Sequence, residues 1–138
     1  LRELVRATDY YVNASSAEGQ CLPLLEFMAE AVPAIAPKHT AMEMYINEDN
    51  AFIVRSSLEP QAWPIDPRRA YRTTTQRISW DSLRQCFVDS ATLLEQDRAR
   101  YLAMATAAAR AVAQNFSSEK ISRDLAAFIG SVVEGKRR

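Results

Sequence analysis

Apolar and polar positions along the chain change period several times, and each change marks an element. Residues Leu1 to Ala7 predict a short helical stretch with Leu1, Leu4 and Val5 on one side. Asp9-Tyr10-Tyr11-Val12-Asn13 reads as a brief buried strand that ends in polar residues. The small, polar run Ala14 to Cys21 then reads as a loop. Pro23 suits the first turn of a helix, where its missing N–H costs nothing. Leu25, Met28, Ala29 and Val32 follow at i, i+3, i+4 and i+7, a stripe that packs a helix on a sheet, and Pro33 stops it. Ala34-Ile35-Ala36 is a second short strand, with Pro37 to Thr40 as its exit loop. Ala41 to Ile46 predicts a short helix, Asn47 to Asn50 a turn, and Ala51-Phe52-Ile53-Val54 a third strand.

The order strand, loop, helix, strand, short helix, strand predicts parallel α/β architecture with right-handed crossovers. Residues 55–79 contain Pro60, Pro64 and Pro67 and few periodic apolar positions, so they read as a long surface excursion. From Trp80 the remainder is helical. Leu83, Phe87, Leu93 and Leu94 serve the first helix, and Tyr101, Leu102, Ala105, Ala108, Ala109 and Val112 the second. Ser117 or Ser118 suits the cap of a last helix, where Ile121, Leu125, Phe128, Ile129 and Val132 form another stripe. The expected organisation is an α/β core over 1–54, the excursion over 55–79 and a helical tail over 80–138. About three parallel strands make a thin sheet for so many helices. Its first strand needs a neighbour, or its edge stays open to self-pairing and a homo-oligomer. The chain is then the second half of a doubly wound domain, or it meets a partner at that edge.

Composition narrows the classes. The chain has 138 residues, 48% apolar and 25% charged, enough for a real core. Its 17 basic and 17 acidic side chains cancel, which argues against a nucleic-acid partner. Arg68-Arg69 and the tail Lys136-Arg137-Arg138 are the only basic clusters; the tail reads as a solvated end, and three charges make a weak attraction to acidic membrane surfaces at most. Cys21 and Cys86 fit no metal spacing and read as two free thiols in a reducing cytoplasm. No apolar run approaches the roughly 20 residues that cross a bilayer. The first residue is Leu, so the chain reads as a fragment or processed piece.

The chemistry concentrates in Asn13 to Glu26, where a strand feeds a loop and then a helix. In open α/β sheets this edge binds ligands. The free amides and the dipole at a helix start hold a diphosphate without any arginine. Gly19 lets the backbone come close to a ligand and adopt conformations closed to other residues. Glu18 lies in the loop, and Glu26 lies about one turn into the helix, where a carboxylate accepts hydrogen bonds from a ribose diol. The plain alternative is that both are helix-start acids favoured by the dipole, with no ligand.

The run Ser16-Ala17-Glu18-Gly19-Gln20-Cys21-Leu22-Pro23-Leu24-Leu25-Glu26-Phe27-Met28-Ala29 resembles the Glu-x7-Glu signature of retaining glycosyltransferases of family four, which have two Rossmann-like domains. Val32-Pro33-Ala34-Ile35-Ala36 resembles the family's next strand. Glu43 to Ile46, Asn50 to Val54 and Asn115-Phe116-Ser117 resemble its glutamate-containing turn, the strand after it and the lead-in to its closing helix. The resemblance is close over residues 1 to about 54 and loose over the tail. It implies the GT-B fold, with this chain as the second half of a Rossmann-like doubly wound domain. It further implies that Glu18 is catalytic and approaches the transferred sugar. Amides around Gly19, Gln20, Cys21 and Leu22 meet sugar hydroxyls and phosphate, and Glu26 holds the ribose. The implied donor is a nucleotide-sugar, with no metal and no separate cofactor, and the absence of an Asp-x-Asp pair agrees with that. The implied location is cytoplasmic, with peripheral attachment at the inner membrane left open.

Departures from the family pattern fall at Gln20-Cys21, which replace an aromatic-glycine pair, and at Ala31, which replaces a frequent glycine before the proline. The basic residues that neutralise the diphosphate, and the N-terminal acceptor domain, are not in this sequence. The fragment alone is therefore expected to be inactive. Two further readings stand beside this one, a non-catalytic nucleotide- or protein-binding module of the same ancestry and a nucleotide-sugar epimerase. The lone His39 reads as polar surface, Cys21 as small-residue packing, and Trp63, Trp80 and Tyr71 as anchors of the excursion. Arg68, Arg69, Arg72 and Arg77 read as a solvated face.

Overall fold

The computed structural model describes residues 2–63 and 65–135; Leu1, Pro64 and the basic tail lie outside the described residues, and with them the expectations placed on those positions. The elements in order are α1 (Arg2–Arg6), β1 (Tyr11–Val12), α2 (Leu22–Ala29), β2 (Ala34–Pro37), a 3-10 turn (Thr40–Met44), β3 (Ala51–Val54), β4 (Ser56–Ala62), β5 (Arg72–Ile78), α3 (Trp80–Gln96), α4 (Arg98–Phe116) and α5 (Ser118–Gly135). The fold is mixed α/β, with a parallel sheet in the order β1-β2-β3 and a helical tail. The amide of Asn13 donates to the Ile35 carbonyl at 3.0 Å, which carries the β1–β2 ladder one residue beyond Val12. Among the described residues β1 has β2 as its one strand neighbour, as expected for an edge.

The sheet is covered on both faces because β2 alternates. Ala34 and Ala36 pack with Leu24, Leu25 and Met28 of α2 and Ala108 of α4. Ile35, between them, packs with Leu83 and Cys86 of α3, together with Val54 and Ile78. The small alanines let α2 and α4 approach the sheet closely, and the fully buried Leu24 and Met28 fill the space. Tyr10, Phe52 and Tyr101 close the other side with edge-to-face rings 5.8 and 5.5 Å apart.

Helix α2 ends at Ala29, short of the stop expected at Pro33, so Val32 lies past the helix and not on its stripe. The amides of Ala31 and Val32 donate to the carbonyls of Met28 and Phe27, the paired bonds of a left-handed helix terminus. Ala31 has φ 62°, a conformation in which its Cβ crowds the backbone. Ala31→Gly removes that crowding. It is expected to raise stability by about 1 kcal/mol, read as a higher urea midpoint at unchanged slope; an unchanged midpoint counts against strain at this residue.

Four sequence expectations are corrected. The 55–79 excursion holds an ordered antiparallel hairpin, β4 on β5, paired from Ser56↔Ile78 to Ala62↔Arg72. Its signal was polar: Thr73-Thr74-Thr75 is β-branched and suits a strand, but Ile78 is the one buried large apolar residue on either strand, so no hydrophobic alternation shows. Asp66 stitches the connection, its carboxylate accepting from the amides of Arg68, Ala70 and Tyr71 at 3.1, 2.7 and 2.9 Å. The Tyr71 amide, first among these, holds the Asp66 carboxyl below its ordinary value.

Trp63, Tyr71 and Trp80 do not anchor the hairpin; they are 48%, 64% and 73% exposed. Phe87 and Leu102 also face outward, because α3 buries the line Leu83, Cys86, Ser90, Leu93 and α4 the line Tyr101, Met104, Ala105, Ala108. The α5 stripe of Ile121, Leu125, Phe128, Ile129 and Val132 is exposed too. The Ser117 hydroxyl accepts from the Lys120 amide at 3.3 Å and caps α5, as the sequence suggested. No helix among the described residues is long and apolar enough to cross a membrane.

Candidate functional site

The loop Asn13–Cys21 leaves the carboxyl end of β1 and enters α2, so the two ends of the segment are fixed by the sheet and by a buried helix. Asn13 is the organising side chain. It is 9% exposed and spends all of its polar atoms on the loop. Its Oδ1 accepts from the Ser15 amide at 2.7 Å, while its Nδ2 donates to Glu18 Oε1 at 3.2 Å and to Cys21 Sγ at 2.9 Å. One amide therefore folds the loop back on itself and fixes the Glu18 carboxylate beside the sheet edge.

A second set of contacts comes from the exit of β2. The Glu18 amide donates to Thr40 Oγ1 at 3.1 Å. His39 Nδ1 lies 3.1 Å from the same hydroxyl, and His39 Nε2 lies 3.0 Å from the Ser15 carbonyl. With Nε2–H donating to that carbonyl, Nδ1 is left to accept from Thr40, and every group in the chain has a partner. His39 is buried at 4% exposure, so its reading as polar surface is overturned. The sequence hides this because the residues it joins are 24 positions apart.

Two further elements hold the loop. The Tyr45 hydroxyl donates to the Gln20 carbonyl at 2.7 Å, and the Tyr45 ring stands edge-on to Phe116 at the end of α4, 5.5 Å away. Burial pushes the Tyr45 hydroxyl well above its ordinary range, so it stays a donor at any working pH. On the other side the Gln76 amide of β5 donates to the Ser16 carbonyl at 2.8 Å, which ties the hairpin to the loop. The helical tail and the hairpin thus both reach the segment that the sequence singled out.

The left-handed backbone expected of Gly19 falls on Cys21 instead, while Cys21 keeps the packing role expected of it. Gly19 does not adopt the left-handed backbone; Cys21 does, at φ 57° and ψ 61°. A methyl group built on Gly19 meets nothing within 4 Å, so the space beside it is open. The Cys21 thiol is buried in the α2 core, and burial, with a further push from Glu18, raises it above its ordinary value against the opposing bonds from Leu24 and Asn13. It is a packing group and a poor nucleophile.

Among the described residues the amides of Gly19, Gln20, Cys21 and Leu22 donate to no acceptor within the chain. Glu26 is exposed on α2, and Glu18 is half-buried. The arrangement is a shelf: four successive unpaired amides with an acid at each end, lying at the carboxyl edge of a parallel sheet. Amides of this kind can take phosphate oxygens, and carboxylates can take hydroxyls. Cavities of about 410 and 350 Å³ lie elsewhere, the first against Phe52 and Leu93, the second at the hairpin base between Arg55 and Arg77. Neither includes Glu18 or Glu26, and Gly19, Gln20, Leu22 and Glu26 are exposed. No three His, Cys, Asp or Glu side chains converge among the described residues.

Comparison of the chain with protein-family models, with curated proteins and with solved structures yields no match.

Proposed function

We propose that this chain is the donor-binding part of a glycosyltransferase, a piece of a Rossmann-like domain that holds a nucleotide-sugar while its sugar passes to a glycan, lipid or other acceptor. The observation that carries the reading is the backbone at Cys21 and Ala31. Two of the positions at which this sequence departs from the glycines of the family it resembles have left-handed φ, 57° and 62°. That conformation favours glycine, and nothing in the Glu-x7-Glu pattern itself required it. Glycine adopts that geometry without strain, and glycine is the residue the family pattern carries at those two positions.

The roles follow from the shelf. The amides of Gly19, Gln20, Cys21 and Leu22 take the diphosphate and sugar hydroxyls, with the α2 dipole adding partial positive charge. Glu26 accepts from the ribose diol. Glu18, fixed by Asn13 and Thr40, faces the transferred sugar and stabilises the positive charge that develops there as the diphosphate leaves. A cytoplasmic, metal-independent enzyme completed by an N-terminal acceptor domain fits this reading. The run Asn13 to Glu26 contains no lysine or arginine, so in this reading the cation for the diphosphate comes from outside that run.

Titration of UDP-, GDP- and ADP-sugars into the full-length protein tests the proposal. Glu26→Ala is expected to weaken the donor that binds by about tenfold or more, the loss of charge-assisted hydrogen bonds. Gly19→Ala is a sharper probe, because its methyl group meets open space in the fold. It is expected to leave stability within about 0.5 kcal/mol and to weaken donor binding through collision with the ligand. If no nucleotide-sugar binds, or if both variants bind it like the parent, the donor site is not here.

A further inference from the structure

We infer that His39 and Thr40 are positioning residues that hold the Glu18 loop in its working geometry from the neighbouring strand. The inference rests on the donor-site reading above and extends it to two residues that the Glu-x7-Glu pattern does not contain. Three observations carry it. The contact is specific: Thr40 Oγ1 receives the Glu18 amide itself, and His39 grips both that hydroxyl and the Ser15 carbonyl, so one pair spans the loop at two points. Thr40 is also strained. Thr40 has φ 49°, a left-handed conformation that a β-branched residue adopts only when its surroundings over-determine it. Here the surroundings are the bonds to Glu18 and His39, and glycine or asparagine would take the same backbone without strain but with no hydroxyl in that place. Finally, the imidazole is buried at 4% exposure with both ring nitrogens partnered, an arrangement that fixes the ring and leaves it no free nitrogen with which to meet a substrate.

The pair acts through Glu18. Tyr45 and Gln76 hold the loop at Gln20 and Ser16, and Asn13 holds the Glu18 carboxylate from one side. The Thr40 bond fixes the backbone of the same residue from the other side. Losing it leaves the donor shelf of amides in place but lets the carboxylate wander, so the expected signature is a fall in kcat with little change in donor KM.

The test uses two substitutions at one exposed position. Thr40→Val keeps the shape and removes the hydroxyl, and Thr40→Ser keeps the hydroxyl and relaxes the β-branch. In the full-length protein Thr40→Val is expected to lower kcat about tenfold or more while donor KM moves by less than about threefold, and Thr40→Ser is expected to restore both. In parallel, hydrogen exchange at the Glu18 amide is expected to quicken about five- to tenfold in Thr40→Val and to stay native in Thr40→Ser. Native exchange at Glu18 in Thr40→Val overturns the clasp itself. Faster exchange with unchanged kcat shows that the clasp orders the loop without positioning Glu18, and overturns the inference in that half. If the unsubstituted protein neither binds nor turns over a nucleotide-sugar, the donor reading fails, and the exchange measurement still decides whether the clasp exists.

Discussion

Glu18→Gln in the full-length protein is expected to lower kcat by about 10²–10³-fold, the scale of removing one electrostatic contact to a transition state. The substitution is nearly isosteric. Its oxygen still accepts from Asn13 Nδ2, and its backbone amide still reaches Thr40, so the loop keeps its shape. What disappears is the negative charge at the place where the transferred sugar becomes cationic. Donor binding is expected to change little, because the amides and Glu26 carry most of it; the loss belongs in kcat and in kcat/KM alike. A variant with native kcat removes Glu18 from the reaction and leaves it a loop acid. A variant that loses donor affinity instead places Glu18 on the ground-state donor, with a role closer to that assigned to Glu26.

The second large effect is structural. Asn13→Ala is expected to cost about 2–4 kcal/mol of stability, the sum of unpaired partners and a partly filled space at a buried site. It strands the Ser15 amide, removes the donor to Glu18 and leaves the Cys21 thiol without its nitrogen neighbour. Asn13→Asp separates these terms. The aspartate retains an acceptor for Ser15 but has no donor for Glu18, and it sets a second carboxylate against the first. Urea unfolding of both variants, with donor titration of whichever remains folded, reads the result. If Asn13→Ala lies within about 0.5 kcal/mol of the parent, the loop does not depend on this amide and the Glu18 geometry needs another origin.

The glycosyltransferase reading and the His39–Thr40 clasp stand on different residues. The first draws on Glu18 to Glu26 and the left-handed Cys21 and Ala31. The second draws on contacts between the exits of β1 and β2. They meet at Glu18, and only there.

The local elements were legible in the sequence because their signals are short-range. Pro23 and Pro33 bracket α2, and Leu25 and Met28 mark its buried face. Ala34-Ile35-Ala36 and Ala51 to Val54 are apolar runs of strand length, and their spacing forced a parallel sheet. The segment that carries Glu18 and Glu26 was visible as a strand, loop and helix in that order. The hairpin was not, since its strands expose nearly all of their side chains and so leave no hydrophobic period. Nor did periodicity separate the outward stripes on α5 and at Phe87 and Leu102 from the buried ones, because it records that a face is apolar and says nothing of what covers it.

Within the site the division is the same. Sequence alone determined that two carboxylates flank a glycine-containing helix start at the edge of an α/β sheet. Only the tertiary structure decided what holds them. Asn13 is a strand-end residue until Cys21 and Glu18 fold back onto it. His39 is a lone loop histidine until the β2 exit lies against Ser15, and Tyr45 is an ordinary core tyrosine until Gln20 presents its carbonyl. Each of these contacts joins residues between 5 and 25 positions apart, with no repeating spacing. The directional bonds that fix the loop come from bringing strand ends together, and that information resides in the sheet order.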